Sequence, residues 1–402
     1  MTMADWNGAG NDPMYVQRLA RHERMIRLLA LHGIAYEPVK RRPQPAEGHG
    51  GWRRQMEKPV YRFRVADLQA EPLSGELSAP PAEGAEAAEG LARMKRLAAR
   101  AAYAAGLDDA EVWIRRDGRQ QAAVVRIAAA QRTPSPARQS ITGPLLLGMD
   151  PEFLMLSDRG KVVPASRYLD DLGKVGFDSA TVPGRPDIHP LAELRPAPSG
   201  EPGELVRNLR RTMWQAAARI GDTSLRWVAG GMPVRGLPLG GHIHFSGVPL
   251  HAGIVRALDN YLAMPLMLLE QPSGIARRRK YGRLGDVRLK SYGGFEYRTL
   301  PSLLLSPTLT KGALAMAKLI AGHSRLLTKR FLDQERYVRA YYQGDKQMLL
   351  EPVERVWREL VRLPDYERYA ADIARVKRWI DERRVWDETA DFRIYWRIPP
   401  YD

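Results

Sequence analysis

In the first third of the chain, the pattern of hydrophobic and polar residues predicts the same order of elements twice. Apolar residues at helical spacing predict helices over two segments, residues 14–32 and 90–107. Alternating apolar and polar residues predict four strands, of which the last two would form a hairpin: 34–39, 60–68, 111–116 and 123–128. Because helix, strand, strand occurs twice, we predict a small α+β module and hypothesise an internal duplication.

The pattern changes from Leu145 onward, where longer apolar segments begin. Strand patterns recur in four segments: 145–156, 191–196, 240–247 and 293–302. Helical periodicity predicts three helices between and after them: 203–220, 255–270 and 308–328. Residues 277–290 predict an arginine-rich loop, and residues 329–402 predict mainly basic amphipathic helices. Strands and helices that do not alternate strictly indicate an α+β fold.

Segments of low complexity divide the chain into predicted domains. Residues 71–88, rich in Pro, Ala and Glu, and residues 132–140 are typical of linkers, and residues 40–56 of a mobile loop. We therefore predict a small N-terminal α+β module at 1–140, a central domain at 141–330 and a mainly helical C-terminal extension at 331–402.

Composition narrows the class of protein. The 402 residues include no cysteine, which excludes disulfides, Fe–S clusters and thiol nucleophiles. The 62 basic and 46 acidic residues give a net charge of +16, and this surplus favours anionic partners such as nucleic acid, phosphorylated small molecules or acidic peptides. Without a long apolar run or a signal-peptide pattern, the sequence leads us to expect a cytoplasmic protein that does not cross a membrane.

Two carboxylates stand two residues apart in an apolar strand pattern, Asp150 and Glu152. At this spacing both side chains point to the same face of a strand. Adjacent carboxylates repel each other and resist desolvation, so a nearby cation is needed to stabilise them. A divalent metal ion that prefers oxygen ligands fits this requirement. A strand that ends here, with Asp150 capping a turn at Pro151, explains the motif equally well.

Three further strand patterns repeat this two-residue spacing of polar side chains: Glu193 with Arg195, His242 with His244, and Glu296 with Arg298. An acid–base pair alone is usually a structural salt bridge. Two imidazoles on one face suit a metal or a phosphate, and Gly240-Gly241 before them would let a ligand approach the backbone. Together the four pairs predict one sheet face that could support phosphoryl transfer from a metal–nucleotide.

An arginine-rich segment precedes the last pair. It carries seven basic side chains from Arg277 to Lys290, with glycines among them. A solvated charge run is the simpler interpretation, whereas tight glycine turns with arginines also bind phosphate. Neither the P-loop motif nor the dinucleotide-binding GxGxxG motif occurs, so neither of those nucleotide sites is supported.

The order of these motifs resembles the carboxylate–amine ligases of the glutamine synthetase and glutamate–cysteine ligase superfamily. More narrowly, it resembles the phage-type amidoligases, the COOH·NH2 ligase type 2 group, over residues 145–330. The segments that carry the resemblance are GMDPEFLML, LAELRP, GGHIHF and RRRKYGRLGDVRLKSYGGFEYRTLPS. It implies an α+β fold with a curved antiparallel sheet, helices on its outer face, and ATP with two or three Mg²⁺ ions (or Mn²⁺) on its concave face. It also implies that ATP phosphorylates a carboxylate, which an amine then attacks to form an amide.

The resemblance assigns roles residue by residue. It implies five metal ligands: Asp150, where the family more usually has Glu, together with Glu152, Glu193, His242 and Glu296. It implies catalytic arginines that hold the transferred phosphoryl group: Arg298, Arg288 and Arg283. It implies contacts to the nucleotide from His244, Arg278, Arg283 and Arg195. The substrates would be a carboxylate and an amine, and the basic surplus is compatible with an acidic peptide. A homo-oligomer is compatible with the resemblance too.

Two other functions remain open from the residues alone. A metal-dependent hydrolase could use His242 and His244, but it would need further histidines, and only His251 and His323 follow. A basic nucleic-acid-binding protein would use the basic surplus and four tryptophans of the C-terminal helices: Trp357, Trp379, Trp386 and Trp396. No nucleic-acid-binding motif occurs, which disfavours a nucleic-acid partner.

Overall fold

The structure is a computed structural model that divides into two compact units, Met1–Pro136 and Ala137–Asp402. It describes residues 13–37, 59–73, 85–117, 121–131, 143–291 and 293–401. The predicted loop at 40–56 lies outside these residues, as do most of the two predicted linkers. The three predicted domain boundaries remain predictions, and helices after residue 331 belong to the same compact unit as the central strands.

The first unit is an antiparallel sheet with two helices. The helices are α1 (Pro13–Leu31) and α2 (Ala85–Ala104), and the strands are β1 (Val60–Ala66), β2 (Gln69–Pro72), β3 (Asp109–Asp117) and β4 (Gln121–Ala129). The sheet order is β2-β1-β3-β4, with every pair antiparallel. Phe63, Val65, Val112 and Ile114 form its buried face with alanines of α2. Two strands follow each helix, but those after α1 are β1 and β2 and not the strands predicted at 34–39 and 60–68, and a duplication remains a hypothesis.

Two predictions for this unit need correction. The predicted strand over residues 60–68 ends at Ala66, because Asp67 and Leu68 form a turn with φ of 47° and 62° that leads into β2. Such turns usually contain glycine or asparagine, so a leucine there gave no signal. In the segment predicted as a strand over 34–39, Tyr36 forms an isolated bridge to Val124, and residues 38–39 lie outside the described residues.

The second unit contains a larger antiparallel sheet. Its strands are β5 (Leu146–Leu156), β6 (Val162–Val163), β7 (Val175–Phe177), β8 (Ala192–Leu194), β9 (Arg226–Val228), β10 (Gly241–Ser246), β11 (Val287–Leu289) and β12 (Phe295–Tyr297). The order along the sheet is β11-β12-β10-β5-β8-β7, and β6 and β9 pair with the far end of β5. The predicted α+β class is thereby confirmed.

The second unit also contains many helices. They are α3 (Pro202–Ile220), α4 (Ala252–Leu258), α5 (Met264–Met267), α6 (Ser273–Arg278), α7 (Pro307–His323), α8 (Glu335–Gln343), α9 (Lys346–Leu360), α10 (Tyr366–Asp381) and α11 (Arg393–Trp396). Helix α3 begins with a proline and ends at Gly221 in the left-handed conformation, which is the usual asymmetry of helix ends. It buries Leu205, Leu209 and Met213 at helical spacing and packs on β5, β7 and β8.

Two segments of the second unit differ from their predicted structure. The helix predicted over 255–270 contains a π-helical turn, Asp259–Ala263, between α4 and α5. The loop predicted over 277–290 instead includes the end of α6 and the whole of β11. Both departures matter for the site, because Asp259 accepts hydrogen bonds from Gly285 N at 2.8 Å and from Tyr297 Oη at 2.6 Å. The π turn thus anchors the basic segment and β12.

Candidate functional site

Four adjacent strands bring the four predicted pairs onto one sheet face. Strands β12, β10, β5 and β8 are consecutive neighbours in the sheet. His242 lies directly opposite Asp150 across β10 and β5, and Glu152 lies opposite Glu193 across β5 and β8. On the other side of β10, His244 lies opposite Glu296. Since cross-strand partners point to the same face, these side chains form one continuous polar surface.

Two carboxylates and two histidines converge at the centre of this face. His242 Nδ1 lies 3.2 Å from Asp150 Oδ1 and 3.2 Å from Glu296 Oε1. These three atoms are buried and have no hydrogen-bond partner among the described residues. His244 Nε2 lies 2.9 Å from the other Asp150 oxygen, Oδ2. Ligand atoms of Asp150, His244 and Glu296 all lie within 4.8 Å of one another, which is a group that could hold a metal ion.

Both of these carboxylates favour the ionised form. Burial would raise the pKa of Asp150, but the adjacent imidazoles of His242 and His244 hold it well below its usual value. Burial would also raise the pKa of Glu296, but a hydrogen bond from Lys290 and the neighbouring His242 keep it below its usual value. Buried polar atoms normally have partners, so three orphan atoms aimed at one another fit a divalent cation with oxygen and nitrogen ligands.

Three more carboxylates gather on the adjoining strands β5, β8 and β7. Burial raises the pKa of Glu152 well above its usual value, and repulsion from Asp178 acts in the same direction. Burial raises the pKa of Glu193 to about 7, with Asp150 adding repulsion. Glu152 does have one firm partner, Gly240 N at 2.8 Å. The raised pKa values of Glu152 and Glu193 indicate that nearby positive charge, including that of Arg195, does not offset their burial and mutual repulsion, and a second cation would do so.

Asp178 is a site residue that sequence analysis missed. It follows the three-residue strand β7, where Gly176 lies opposite Glu193. Two residues beyond Gly176, Asp178 lies on the side of the sheet where Glu193 lies, and both line the same cavity. The strand is too short for any recognisable alternation, so the sequence held no signal for it.

The structure assigns Gly240 and Gly241 a different role from the one predicted. A Cβ atom on Gly240 would lie 2.4 Å from His242 Nε2 and 3.1 Å from Glu152 Oε1. A Cβ atom on Gly241 would lie 2.1 Å from Pro301 O. The two glycines therefore make room for the protein's own side chains and backbone, and the close approach of a ligand to this backbone stays a prediction.

Three cations surround the buried carboxylate of Glu296. Arg288 lies 2.6 Å from Glu296 Oε2, as does Lys290 Nζ, and Arg298 Nε lies 3.6 Å from Oε1. Arg288 and Arg298 are predicted residues, whereas Lys290 had been counted in the basic segment without a role. Three cations on one carboxylate leave a local excess of positive charge, which suits an anion in the cavity.

Arg195 makes most of its hydrogen bonds to neighbouring backbone carbonyls. It forms an ion pair with Glu193. Its guanidinium also donates to the carbonyls of Asp171 at 3.3 Å, Gly173 at 3.2 Å and Phe177 at 3.2 Å. Arg195 lines the cavity, but its main contacts fasten the loop between β6 and β8 to the carboxylate cluster.

Two other predicted arginines do not reach the cavity. Arg278 is fully buried, forms an ion pair with Glu270 and lies over the ring of Tyr341 at 5.4 Å. Arg283 donates to the carbonyl of Arg279 at 3.0 Å. Neither lines the cavity, so the geometry gives no support to their predicted contacts with a nucleotide, and burial excludes Arg278 from such a contact in this conformation. Sequence alone does not distinguish a buried arginine from an exposed one in such a run.

The cavity over this face is lined by both acidic and basic side chains. Its volume is about 630 Å³. Asp150, Asp178 and Glu193 line it together with Arg195, the ion-pair partner of Glu193, and Arg288 and Lys290 line it from the β11 edge of the sheet. Apolar and small residues complete the wall: Leu146, Met149, Pro196, Pro198, Phe245, Ser179 and Ser246. This arrangement can hold cations beside an anion such as a phosphate or a carboxylate.

This sheet and site fit a ligase that joins a carboxylate to an amine through a C–N bond, and a family comparison shows that class. The sequence profile of the phage phiEco32-like COOH·NH2 ligase type 2 family matches residues 147–398. The match spans more than half of the chain, and the protein belongs to this family. It also extends beyond the resemblance noted over 145–330 and includes the helices α8 to α11.

Comparisons with individual proteins give weaker similarities than the family profile. No curated protein sequence matches the chain. Similar solved structures include a bifunctional glutathione synthetase from Pasteurella multocida, at 12% identity over 63% of this chain and 51% of that one, with a TM-score of 0.31. A novel glutamine synthase homolog has 13% identity over 66% and 80%, with a TM-score of 0.29. The apo form of GmaS has 15% identity over 80% and 92%, with a TM-score of 0.36. The chain thus spans about half the length of the first of these.

Among the residues that the structure describes, no helix is long and apolar enough to span a bilayer.

Proposed function

We propose that the protein is an ATP- and Mg²⁺-dependent amidoligase that forms an amide from a carboxylate and an amine through an acyl phosphate. One observation carries the proposal: a single sheet face holds buried carboxylates and histidines next to a group of cations. Phosphoryl transfer needs such a pairing, because a metal–nucleotide brings cations and phosphates together. The family membership supports the same reaction.

The proposed reaction has two steps. A carboxylate oxygen attacks the γ-phosphorus of ATP, the bond to ADP breaks, and an acyl phosphate forms. The amine nitrogen then attacks the acyl carbon, loses a proton, and displaces inorganic phosphate to leave the amide. Activation is necessary because a free carboxylate would have to expel oxide, whereas phosphate is a good leaving group.

The proposed metal ligands are the residues predicted from sequence, with two additions. Asp150, His242 and Glu296 would hold one ion, with His244 close enough to join them. Glu152, Glu193 and Asp178 would hold a second. Bound Mg²⁺, or Mn²⁺ in its place, would offset the charge that otherwise keeps the phosphates and the substrate carboxylate apart.

The proposed phosphate contacts are the cations around Glu296. Arg288 and Lys290 line the cavity, and Arg298 lies next to them on β12's C-terminal side. With the metal ligands neutralised by cations, Arg288 and Lys290 can turn from Glu296 toward an anion, where charge-assisted hydrogen bonds stabilise the departing phosphate. The nearness of His244 to Asp150 favours a role on the metal side rather than the predicted phosphate contact.

The two alternative functions lack a supporting observation in the described residues. His251 caps α4 by accepting from Ile254 N at 3.1 Å, and His323 lies 3.1 Å from Asp365, so neither completes a hydrolase site at His242 and His244. Trp357, Trp386 and Trp396 are buried in the protein core, which removes most of the aromatic surface that a nucleic acid would use.

Release of ADP tests the proposal. Wild-type protein, Glu152→Gln and the matched control Glu351→Gln, an exposed residue of α9, would be incubated with ATP, Mg²⁺ and pools of amino acids and short peptides. We expect ADP release that depends on a substrate pool, persists in the control and falls at least a hundredfold in Glu152→Gln. Calorimetry would measure ATP binding in parallel. Absence of both ADP release and ATP binding in the wild type would refute the ligase proposal.

A further inference from the structure

The strand β11 forms one edge of the large sheet beside the cavity. Among the described residues, β11 pairs with β12 alone and stands last in the strand order. Lys290 N donates to Gly294 O at 2.9 Å, and Arg298 N donates to Asp286 O at 2.9 Å. In antiparallel pairs the residues that bond to the neighbour alternate with residues whose N–H and C=O point away. Val287 and Leu289 therefore direct their backbone groups to the open edge.

The side chains of this edge alternate between the cavity and solvent. Arg288 and Lys290 line the cavity, with side chains 54% and 22% exposed. Leu289 points the other way and is 47% exposed. An extended chain added at this edge would place alternate side chains over the cavity and the others against Leu289.

The positive charge near this edge indicates which kind of peptide would bind there. Arg279, Lys280 and Arg283 precede β11 and are exposed or half-exposed, and Tyr281 among them is 55% exposed. Arg288 and Lys290 continue the positive charge into the cavity. Positive side chains around an open strand edge complement a chain that carries carboxylates.

From this geometry we infer that the carboxylate substrate is the side chain of an aspartate or glutamate within an extended peptide, which binds as an added antiparallel strand along β11. This inference rests on the proposed ligase function and specifies its substrate. The acidic residue lies opposite Arg288, so its side chain enters the cavity. The residues before and after it lie opposite Leu289 and Val287 and make the main-chain hydrogen bonds. Antiparallel addition continues the arrangement of every other pair in this sheet.

Methylated peptides test the main-chain contacts on the unaltered protein. The probe is the blocked peptide acetyl-Ala-Ala-Glu-Ala-Ala-amide, with ATP, Mg²⁺ and an amine pool. N-methylation of the alanine on either side of the glutamate removes a donor to β11, and we expect KM to rise about tenfold with kcat little changed. N-methylation of the glutamate itself is the matched control, because that amide faces away, and we expect KM within about twofold of the parent peptide. Equal effects at all three positions would overturn the inference.

A variant tests the same contact from the protein side. Leu289→Pro removes one outward N–H that donates to none of the described residues, and edge strands accept proline. We expect KM for the peptide to rise about tenfold and ATP binding by calorimetry to stay unchanged. An unchanged KM would overturn the inference. The charge of this short edge strand would then serve only to prevent its pairing with strands of other protein molecules.

Free glutamate separates this inference from the ligase proposal. We expect kcat/KM for the blocked peptide to exceed that for free glutamate at least tenfold. If free glutamate reacts equally well, the inference fails and the ligase function stands. If no substrate stimulates ADP release and ATP does not bind, the ligase function itself fails.

Discussion

Asp150 and His242 face each other across strands β5 and β10, and each buries one side-chain atom for which the described part of the chain offers no hydrogen-bond partner. The two orphan atoms, Oδ1 and Nδ1, are 3.2 Å apart, and Glu296 Oε1 lies 3.2 Å from the same nitrogen. Leaving buried polar atoms unpaired costs about 1–3 kcal/mol each. The three unpaired atoms destabilise the fold at one point on the sheet. A preformed cation site has this property, because the bound ion supplies the missing partner.

Binding of a divalent ion should stabilise the protein through this group. Adding Mn²⁺ or Mg²⁺ at about a hundred times its dissociation constant should raise the free energy of unfolding by about 2.7 kcal/mol. Asp150→Asn keeps the shape of the side chain and removes its charge, so we expect most of this gain to disappear. Thermal unfolding with and without the ion measures the effect.

The control for this prediction is Asp187→Asn, which alters an exposed aspartate outside the cavity. It should retain the full stabilisation by metal. If Asp150→Asn gains as much stability from the ion as the wild type does, Asp150 is not a ligand.

Gly240 should tolerate no side chain. In Gly240→Ala the new Cβ would lie 2.4 Å from His242 Nε2, well inside van der Waals contact, so the imidazole must move. We expect metal binding to weaken at least tenfold while the far-ultraviolet circular dichroism spectrum remains that of the wild type. Calorimetric titration with Mn²⁺ measures the affinity.

A matched glycine shows what the substitution alone does. Gly322 lies in α7 with open space around its Cα, so Gly322→Ala should leave metal binding unchanged and stabilise the helix slightly. Unchanged metal affinity in Gly240→Ala would show that the position of His242 does not matter for the ion.

The C-terminal segment should be necessary for the central sheet. Glu388 is fully buried and accepts from Gly231 N at 2.8 Å, Met232 N at 3.1 Å, Ser273 Oγ at 2.8 Å and Trp386 Nε1 at 3.0 Å. Glu388→Ala leaves these donors without an acceptor, and we expect the free energy of unfolding to fall by about 3 kcal/mol or more. Urea denaturation measures it, with Glu351→Ala as the exposed control within about 0.5 kcal/mol of the wild type. A loss no larger than the control's would contradict the role of Glu388.

Local patterns predicted the polar pairs well, because side-chain alternation is a property of each strand by itself. The residues two apart in β5 and β10 do share a face, and the register places Asp150 opposite His242. What local patterns could not give is the order of the strands, since β10 and β12 reach their places from distant parts of the chain. The convergence of the four pairs was therefore inferred from their number and from the family resemblance.

The differences between the expected and the observed surroundings of single residues have the same physical origin. Arg278 and Arg288 look alike in sequence, yet one is buried against Glu270 and the other lines the cavity, because α6 ends between them and β11 begins. Gly240 suggested space for a ligand, but the atoms that fill the space come from His242 and Glu152. Burial and close contact depend on the tertiary arrangement, so spacing along the chain does not reveal them.

Lys290 should contribute to binding of ATP. Its ammonium group lies 2.6 Å from Glu296 and lines the cavity, where it adds to the excess of positive charge beside Arg288. Lys290→Met keeps most of the side-chain volume and removes the charge. A charge-assisted hydrogen bond is worth about 1.5–3 kcal/mol, so the dissociation constant for ATP with Mg²⁺ should rise roughly 10- to 100-fold. Lys280→Met, in the exposed part of the same segment, should change it less than twofold. Calorimetry of both variants distinguishes a specific contact from the general charge of the segment, because equal weakening by the two variants would mean that only net charge matters.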